Sequence, residues 1–219
     1  MVSNKPREVK KMKRKVMCAL SLFAVFFGFL TVMLIISERE AGQIRDGVLR
    51  LHIVANSDSE SDQQNKMSVR DGIAQLCSQL FYSSDSKAQA MESARQNGDV
   101  IVAKAEEILK SRGSDDSVRV TVRQRFFPTR TYEGVSLPAG VYDTVDVEIG
   151  SAAGKNFWCV MFPDICVGAS DADGNKEKMS DVLTGGALEM TTDTEETSVK
   201  FRFAIVEIFE NIKHFFGVE

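Results

Sequence analysis

Histidine is scarce in this chain, and its scarcity narrows the chemistry that the protein can perform. The 219 residues include two histidines, His52 and His214, although histidine is the commonest general base in enzymes. A triad of His52 with Ser57 and Asp58 is unattractive, because all three come from one short segment, whereas a nucleophile, a base and an orienting group must converge from different directions. The sequence therefore favours a protein that is not an enzyme.

Motifs that hold metals or phosphates are also lacking. The sequence contains neither the H-E-x-x-H spacing nor paired C-x-x-C motifs, and it has no glycine-rich phosphate loop. A run that begins at Asp171 resembles a calcium loop, but glycine stands at its fourth position instead of its sixth, and Val182 replaces the glutamate at its twelfth. We therefore expect no cofactor, no metal and no small-molecule substrate.

A net positive charge is confined to the N-terminal segment of the chain. The first fifteen residues carry a net charge of +6, and the total is −4, so the remainder carries −10. A domain this acidic is a poor candidate for nucleic acid, which needs a basic face to neutralise phosphates.

Residues 16–36 are an uncharged run of 21 residues, long enough to cross the hydrocarbon core as a helix. The basic cluster before it predicts that the N-terminus lies inside and that everything from Glu38 onward lies outside the cytoplasm. Signal peptides have shorter apolar regions and a small-x-small cleavage site. We expect an uncleaved anchor, and a cleaved signal stays open as the alternative.

The stretch from Val48 to Arg70 changes from the pattern of a strand to that of a helix. Apolar residues alternate up to Ile53, and short polar residues follow. Ser57 and Glu60 have the spacing of a capping box. A helix is predicted from about Ser59 to Tyr82, and a second one from Ser86 to Arg112.

Valines alternate with charged residues in two later segments, around Val120 and around Val147. Arginines in one segment and carboxylates in the other predict charge pairs across antiparallel strands on a solvated face. Phe157–Phe162 is apolar on both faces and predicts a core strand. Trp158 then belongs to the core, or it forms a contact for a partner together with Pro163 at the end of the strand.

The C-terminal part predicts two further segments. Residues 168–198 are polar and acidic and predict a flexible linker. Residues 199–216 predict an amphipathic helix with a wide apolar face. That face docks back on the domain, lies on the outer membrane surface, or binds a partner.

Two sequence blocks resemble the stage II sporulation protein R family. The first is Leu51–Asp58, followed by Asp62-Gln63 and by Val69-Arg70-Asp71. The second is Leu137–Gly140 and then Gly154–Pro163, ending at Cys166. This chain departs from the family pattern in having Asp164 where a second proline often follows Pro163, and in its long acidic extension after Cys166.

The resemblance implies a sporulation signal. Members of this family are made in the forespore, cross its membrane, and act in the intermembrane space on a membrane-embedded aspartic protease of the mother cell, which then processes a pro-sigma factor. On this interpretation the protein is a ligand of the protease. Its contact residues are predicted to be the following: His52, Asn56, Ser57, Asp58, Arg70, Trp158 and Pro163.

The four cysteines have different expected roles. Cys18 is predicted to be inert, and Cys77 lies on the apolar stripe of the first predicted helix. Cys159 and Cys166 flank a Pro-Asp turn in an oxidising compartment, where a disulfide is allowed. The alternative is a pair of partly buried thiols.

The predicted fold class is α+β: a small mixed or antiparallel sheet with two long helices on one face, an N-terminal transmembrane or signal helix, and a C-terminal amphipathic helix. The predicted domains are residues 1–37 (cytoplasmic segment and anchor), 42–167 (extracytoplasmic domain), 168–198 (acidic linker) and 199–216 (amphipathic helix). Two other functions stay open: a membrane-tethered structural module of the spore envelope, and a cell-envelope hydrolase that uses His52.

Overall fold

A mixed sheet with helices on both faces forms the centre of the protein. The computed structural model describes residues 5–165, 172–193 and 196–217. Its helices are α1 (Lys5–Gly47), α2 (Glu60–Leu80), α3 (Lys87–Gln96), α4 (Gly98–Ser111), α5 (Ala172–Ser180), α6 (Gly185–Thr192) and α7 (Thr197–Phe216). Its strands are β1 (Leu49–Val54), β2 (Val118–Phe127), β3 (Arg130–Tyr132), β4 (Val135–Leu137), β5 (Gly140–Ile149) and β6 (Asn156–Phe162).

The main sheet has the strand order β2-β5-β1-β6, and β3 pairs with β4 in a separate hairpin. Strand β1 runs parallel to β5, and the other pairs of the main sheet are antiparallel. This architecture confirms the predicted α+β class, including the long apolar helix at the N-terminus and the helix at the C-terminus.

Helices α2, α3 and α4 cover one face of the sheet, as the sequence predicts. Alternate apolar residues of β1 and β5 point toward these helices, and they pack with the apolar stripes of α2 and α4 in one buried cluster that includes Leu51, Ile53, Ile73, Ile101 and Val147. The predicted second helix is in fact two helices, α3 and α4, which meet at Asn97. The break lies just before Gly98, where the low helix propensity of glycine weakens the helix.

The opposite face of the sheet is covered as well, although the sequence predicted a solvated face. The C-terminal end of α1, the β3–β4 hairpin and helices α5, α6 and α7 pack there around a second cluster that includes Ile44, Phe127, Leu137, Met179 and Val206. Burial of this face makes the polar side chains that point into it part of the interior.

Much of that cover comes from the segment predicted to be a flexible linker, and this interpretation was wrong for residues 172–193. These residues form α5 and α6, and their apolar side chains are buried: Met179, Leu183, Ala187 and Met190. The four lie three or four residues apart, which is a helical spacing. Composition favoured a linker because acidic residues surround this weak stripe. The predicted domain boundaries stay a prediction.

Strand β6 lies at an edge of the sheet, not at its centre. It pairs with β1 on one side. It is apolar on both faces because each face meets a different cluster: Cys159 and Met161 belong to the first, and Val160 belongs to the second. Core packing of this strand was therefore predicted correctly.

Helices α1 and α7 pack against each other and against the domain. By length and composition, the part of α1 from Lys10 to Gly47 could cross a membrane. A signal sequence near an N-terminus has the same length and composition, so these properties fit an anchor and a signal equally. The uncharged part of α1 is exposed, whereas Ala41 and Ile44, in its last turns, are fully buried in the domain. Val199, Phe203 and Val206 of α7 are buried on its inner side. The docking of the C-terminal helix on the domain is thus confirmed.

The close approach of the β5–β6 turn to the end of β1 predicts a steric effect. A Cβ atom at Gly154 would lie 2.3 Å from the Ser57 carbonyl oxygen, whereas a Cβ atom at Gly98 would meet nothing within 4 Å. We expect Gly154→Ala to lower the free energy of unfolding by about 1–3 kcal/mol. Gly98→Ala should leave it unchanged or raise it by about 0.4–1 kcal/mol.

Urea denaturation of the full chain in detergent, followed by circular dichroism, measures both effects. Equal stability of Gly154→Ala and the unsubstituted protein would contradict the close approach of these two segments.

Candidate partner-binding site

The turn between β1 and α2 is organised by short polar side chains. Ser59 is the N-cap of α2, and its hydroxyl accepts a hydrogen bond from the Asp62 amide at 3.2 Å. The prediction that Ser57 caps the helix was wrong. The Ser57 hydroxyl instead donates to the Asp62 carboxylate at 2.5 Å, and this hydrogen bond lowers the pKa of Asp62. The serine-x-x-acid pattern occurs twice in this stretch, and the second occurrence is the one that caps.

The same turn is bound to the β5–β6 connection. The Asn56 side-chain oxygen accepts a hydrogen bond from the Ser151 amide at 2.9 Å, and Asp58 accepts one from the Lys155 amide at 2.7 Å. The Asn56 side-chain amide also donates to Asp62 at 3.2 Å. Asn56 and Asp58 therefore hold two loops together, and of the two Asp58 remains exposed to solvent.

His52 lies in the middle of β1 and is 1% exposed. Its Nδ1 is 2.5 Å from an Asp146 carboxylate oxygen, and its Nε2 is 3.0 Å from the Asn156 side-chain oxygen. Both ring nitrogens thus face side-chain oxygen atoms of neighbouring strands. With both nitrogens bonded, His52 has no free nitrogen that could act as a general base.

Asp146 is a fully buried carboxylate that receives donors from two neighbouring strands. His52 on β1 contacts one oxygen, and Arg123 and Arg125 on β2 contact the other, with Arg125 Nη2 at 2.7 Å. Burial alone would raise the pKa of Asp146. The hydrogen bonds from His52, Arg125 and Arg123 outweigh it and lower the pKa to about 2. The Arg123 guanidinium also bonds Glu148 at 2.8 Å.

A surface hollow of about 520 Å³, the His52 hollow, opens above this network. The lining residues are His52, Arg123, Gln124, Arg125, Phe126, Asn156, Trp158 and His214. The Trp158 ring lies beside the His52 ring, with centroids 6.3 Å apart, and the Arg130 guanidinium lies 4.0 Å from the Trp158 centroid. Tryptophan and arginine are the residue types that dominate binding energy at protein interfaces.

A second hollow of about 480 Å³ continues the first along β2 and the end of α7. The two share Gln124, Arg125, Phe126 and His214, and the second also reaches Arg45 and Lys213. Basic side chains therefore line much of this surface, beside the carboxylate of Glu210, although the chain after residue 15 carries a net charge of −10. A partner segment with acidic or aromatic side chains would complement it.

The structure brings only some of the predicted contact residues together. His52 and Trp158 are neighbours in the His52 hollow, and the turn that contains Asn56, Ser57 and Asp58 contacts the start of the same strand β6. Arg70 lies on the other face, where its guanidinium is 5.1 Å from the Phe157 ring centroid. Pro163 is buried at the far end of β6. Contact roles for these residues stay a prediction.

Several residues of the hollow were not among the predicted ones: Arg123, Arg125, Asn156 and His214. The alternation of arginines on β2 with carboxylates on β5 did predict the pairing of charges. The pattern could not show that Asp146 is the buried carboxylate, because its burial depends on the cover supplied by the C-terminal helices.

Arg50 was also overlooked as a feature of the interior. Its side chain is fully buried, and its guanidinium lies 4.1 Å from the Phe127 ring centroid and 4.9 Å from that of Tyr142. It donates a hydrogen bond to the Tyr132 hydroxyl, while its Nε and Nη1 have no hydrogen-bond partner among the described residues. Cation–π contacts offset part of the desolvation cost. Arg50 thereby ties β1 to the β3–β4 hairpin.

The structure describes three of the four cysteines. Cys77 is a buried free thiol whose pKa burial raises to about 12, so it is unreactive. Cys18 is free and exposed. Cys159 is disulfide-bonded. Cys166, its predicted partner, lies outside the described residues, and the pairing stays a prediction.

The low pKa of Asp146 predicts a loss of stability in acid. Since its pKa falls from 3.8 to about 2 on folding, Asp146 contributes stability above pH 3.8 that is lost as the pH falls toward 2. Asp146→Asn should be less stable near pH 7, and its difference from the unsubstituted protein should shrink toward pH 2. Asp115→Asn, at an exposed loop carboxylate, is the control.

Urea denaturation of the full chain in detergent at a series of pH values measures this difference. If the difference in the free energy of unfolding between Asp146→Asn and the unsubstituted protein stayed constant with pH, the charged form of Asp146 would contribute no stability to the fold.

Comparison with known proteins bears on the same region. A family model described as stage II sporulation protein R matches residues 45–172, which include the whole sheet and helices α2, α3 and α4. The protein named stage II sporulation protein R of Bacillus subtilis (strain 168) is 35% identical over 130 residues. That match covers 59% of this chain and 58% of the relative's length. No solved structure matches the chain.

The matched region takes in both sequence blocks that carried the resemblance, together with His52, Asp146 and Trp158. The family model covers more than half of the chain. This protein belongs to the stage II sporulation protein R family.

Proposed function

We propose that this protein is an exported sporulation signal. It is made in the forespore, places its domain in the intermembrane space, and binds the extracytoplasmic side of a membrane-embedded aspartic protease. The protease then processes a pro-sigma factor in the mother cell. Family membership supports the link to sporulation, and the exposed apolar part of α1 supports export or anchoring.

The observation that carries the proposal is the His52 hollow with its aromatic and basic lining. Its floor is rigid, because His52, Asp146, Arg123 and Arg125 hold one another in place. Trp158 is half-buried there, so it presents part of its ring at low entropic cost. These features belong to a surface that recognises a protein segment, and they differ from those of a catalytic centre.

The position of the hollow fits a partner that is embedded in the membrane. The adjoining hollow includes Arg45 and Glu210. Arg45 also forms an ion pair with Glu38, two residues beyond the uncharged run of α1. The recognition surface therefore begins close to the level at which α1 would leave the bilayer, where the outer loops of a membrane protease lie.

Activation requires more than contact. A ligand shifts the protease toward its active arrangement only if it binds that arrangement more tightly than the inactive one. Substitutions in the hollow should therefore reduce processing without reducing the amount of folded signal protein.

A second function, a membrane-tethered structural module, is favoured by one observation. The last turns of α1 are part of the domain core, with Ala41 and Ile44 fully buried, so the domain and the apolar helix form one continuous unit. This candidate needs the anchor for function, whereas a diffusible signal does not. The hydrolase alternative gains no support, because both nitrogens of His52 are hydrogen-bonded.

Reconstitution of processing tests the proposal. The full chain is co-expressed with the cognate protease and its pro-sigma factor in a non-sporulating host, and the size of the sigma factor is measured. We expect shortening that requires this protein. Residues 38–219, exported by a replaceable signal, should also support it if the signal is diffusible. Success of the full chain alone would favour tethering, and failure of both would contradict activation.

Variants in the same assay locate the contact surface. Trp158→Ala and Arg130→Gln should each lower the amount of shortened sigma factor roughly tenfold or more, as loss of an interface hot spot does. Tyr82→Ala and Arg95→Gln are the matched controls, since both residues are exposed beyond the helices on the other face of the sheet. Protease resistance of the signal protein reports its folded amount. Full processing by Trp158→Ala would remove the hollow from the proposal.

A further inference from the structure

The outer face of α7 carries an apolar stripe that the domain does not cover. Its members lie three, four or seven residues apart on one side of the helix, and the exposed fractions of their side chains range from 46% to 82%: Phe201, Ile208, Ile212, Phe215 and Phe216. The inner side is buried at Val199, Phe203, Val206 and Glu210. The helix is thus apolar on two opposite sides, and only one of them meets the domain.

Ion pairs fix where α7 lies relative to α1. Arg45 of α1 contacts both Glu38 and Glu210, with Nη1 3.9 Å from a Glu210 oxygen. About two helix turns earlier in α7, Arg202 pairs with Glu40. The inner side of α7 therefore contacts α1 at Glu40 and Arg45, which are four and nine residues past Ile36, the last residue of the uncharged run.

These contacts place α7 beside the first turns of α1 that follow the apolar run. Glu40 and Arg45 lie about 6 and 14 Å past Ile36 along the helix axis, and a helix with its side chains is about 10–12 Å wide. If α1 crosses a membrane over residues 16–36, α7 lies at the outer surface of that membrane. Its exposed stripe lies on the side of α7 opposite the buried side, so neither the domain nor α1 covers it.

We propose that the outer face of α7 is a membrane-binding surface that inserts into the outer leaflet beside α1. Five large apolar side chains exposed along one side of a helix are uncommon on a protein surface in water. Amphipathic helices at a membrane surface bury their apolar side about 5–10 Å into the interface. The proposal depends on α1 entering the membrane. It does not depend on protease activation.

The insertion has a consequence for the recognition surface. His214, which lines both hollows, lies on α7 between Ile212 and Phe215, and its ring contacts that of Phe126 with centroids 4.4 Å apart. A membrane-bound α7 would hold the rim of the His52 hollow within about one helix diameter, ~10 Å, of the bilayer. The domain would then keep one orientation instead of swinging on α1.

Lipid quenching of a single tryptophan tests the insertion. Trp158 is the only tryptophan of the sequence, so Trp158→Phe gives a full chain without tryptophan. Phe215→Trp or Tyr82→Trp is then added to that chain as the single probe. Tyr82 is 92% exposed and lies at the end of α2, on the other face of the sheet. Each protein is reconstituted into phosphatidylcholine–phosphatidylglycerol vesicles with and without lipid that carries a shallow doxyl group.

We expect the tryptophan of Phe215→Trp to emit at shorter wavelength and to lose roughly half of its emission to the shallow doxyl group, and that of Tyr82→Trp to be nearly unaffected. Adding Ile208→Glu and Ile212→Glu to Phe215→Trp should remove most of the quenching, while circular dichroism reports that the fold is kept. Should Phe215→Trp not fold, Ile208→Trp takes its place with the same expectation.

Three results would overturn the proposal. The first is a Phe215→Trp emission that is as unaffected by the lipid as that of Tyr82→Trp. The second is a shift of the Phe215→Trp emission to shorter wavelength that appears only as the density of protein in the vesicles rises. A second copy of the chain would then cover the face in place of lipid. The third is lipid quenching that persists unchanged in the glutamate variants, because the stripe would then not be what enters the membrane.

Discussion

The carboxylate of Asp146 is the charge on which the arrangement of the sheet depends. It is fully buried, and an ion of this kind costs several kcal/mol to remove from water unless donors replace the lost hydration. His52 lies directly opposite it on the parallel neighbour β1, and Arg123 reaches it from the antiparallel neighbour β2. A shift of β5 by one residue would turn Asp146 into the apolar cluster beneath α2 and α4. The network therefore fixes the register of three strands.

The position of the proposed recognition surface follows from the same constraint. Trp158 on β6 lies opposite His52, so the strand pairing that satisfies Asp146 also places the indole at the rim of the hollow. The arginines that neutralise Asp146 form the basic wall. Helix α7 completes the rim through His214, which packs on Phe126. The same side chains thus serve the stability of the sheet and the proposed recognition. Substitution of His52 or Asp146 would change both properties at once, whereas substitution of Trp158 tests recognition without removing the Asp146 network.

Local periodicity predicted the parts of the fold that depend on neighbouring residues. The alternation in β1 and β5, the stripe of α2 and the amphipathic α7 could all be read from spacing alone. The turn after β1 was harder, because Ser57 and Ser59 both have an acid three residues later, so the local pattern does not show that Ser59 is the cap. The bridge from Arg50 to Tyr132 joins residues that are far apart in the chain, and no local pattern marks it.

The second layer could not be predicted for a different reason. Residues 172–193 are rich in acidic and small residues, and their helices are stable only because Met179, Leu183 and Met190 pack on Phe127, Leu137 and their neighbours. Without that layer, the face of the sheet that carries His52, Thr144 and Asp146 looks like an ordinary solvated face with paired charges. The candidate site was therefore visible in the sequence as residues, but its depth and its buried centre were not.

Secretion and membrane attachment need not exclude each other in this architecture. The contacts between α1 and α7 involve Glu38, Glu40 and Arg45, all of which lie beyond the apolar run. A cut next to Ile36 would remove the run and leave these contacts intact, together with the apolar stripe of α7. If the stripe alone suffices for the proposed insertion, the released domain would still bind a bilayer reversibly, and this binding would confine its search for a membrane-embedded partner to two dimensions and raise its effective concentration there.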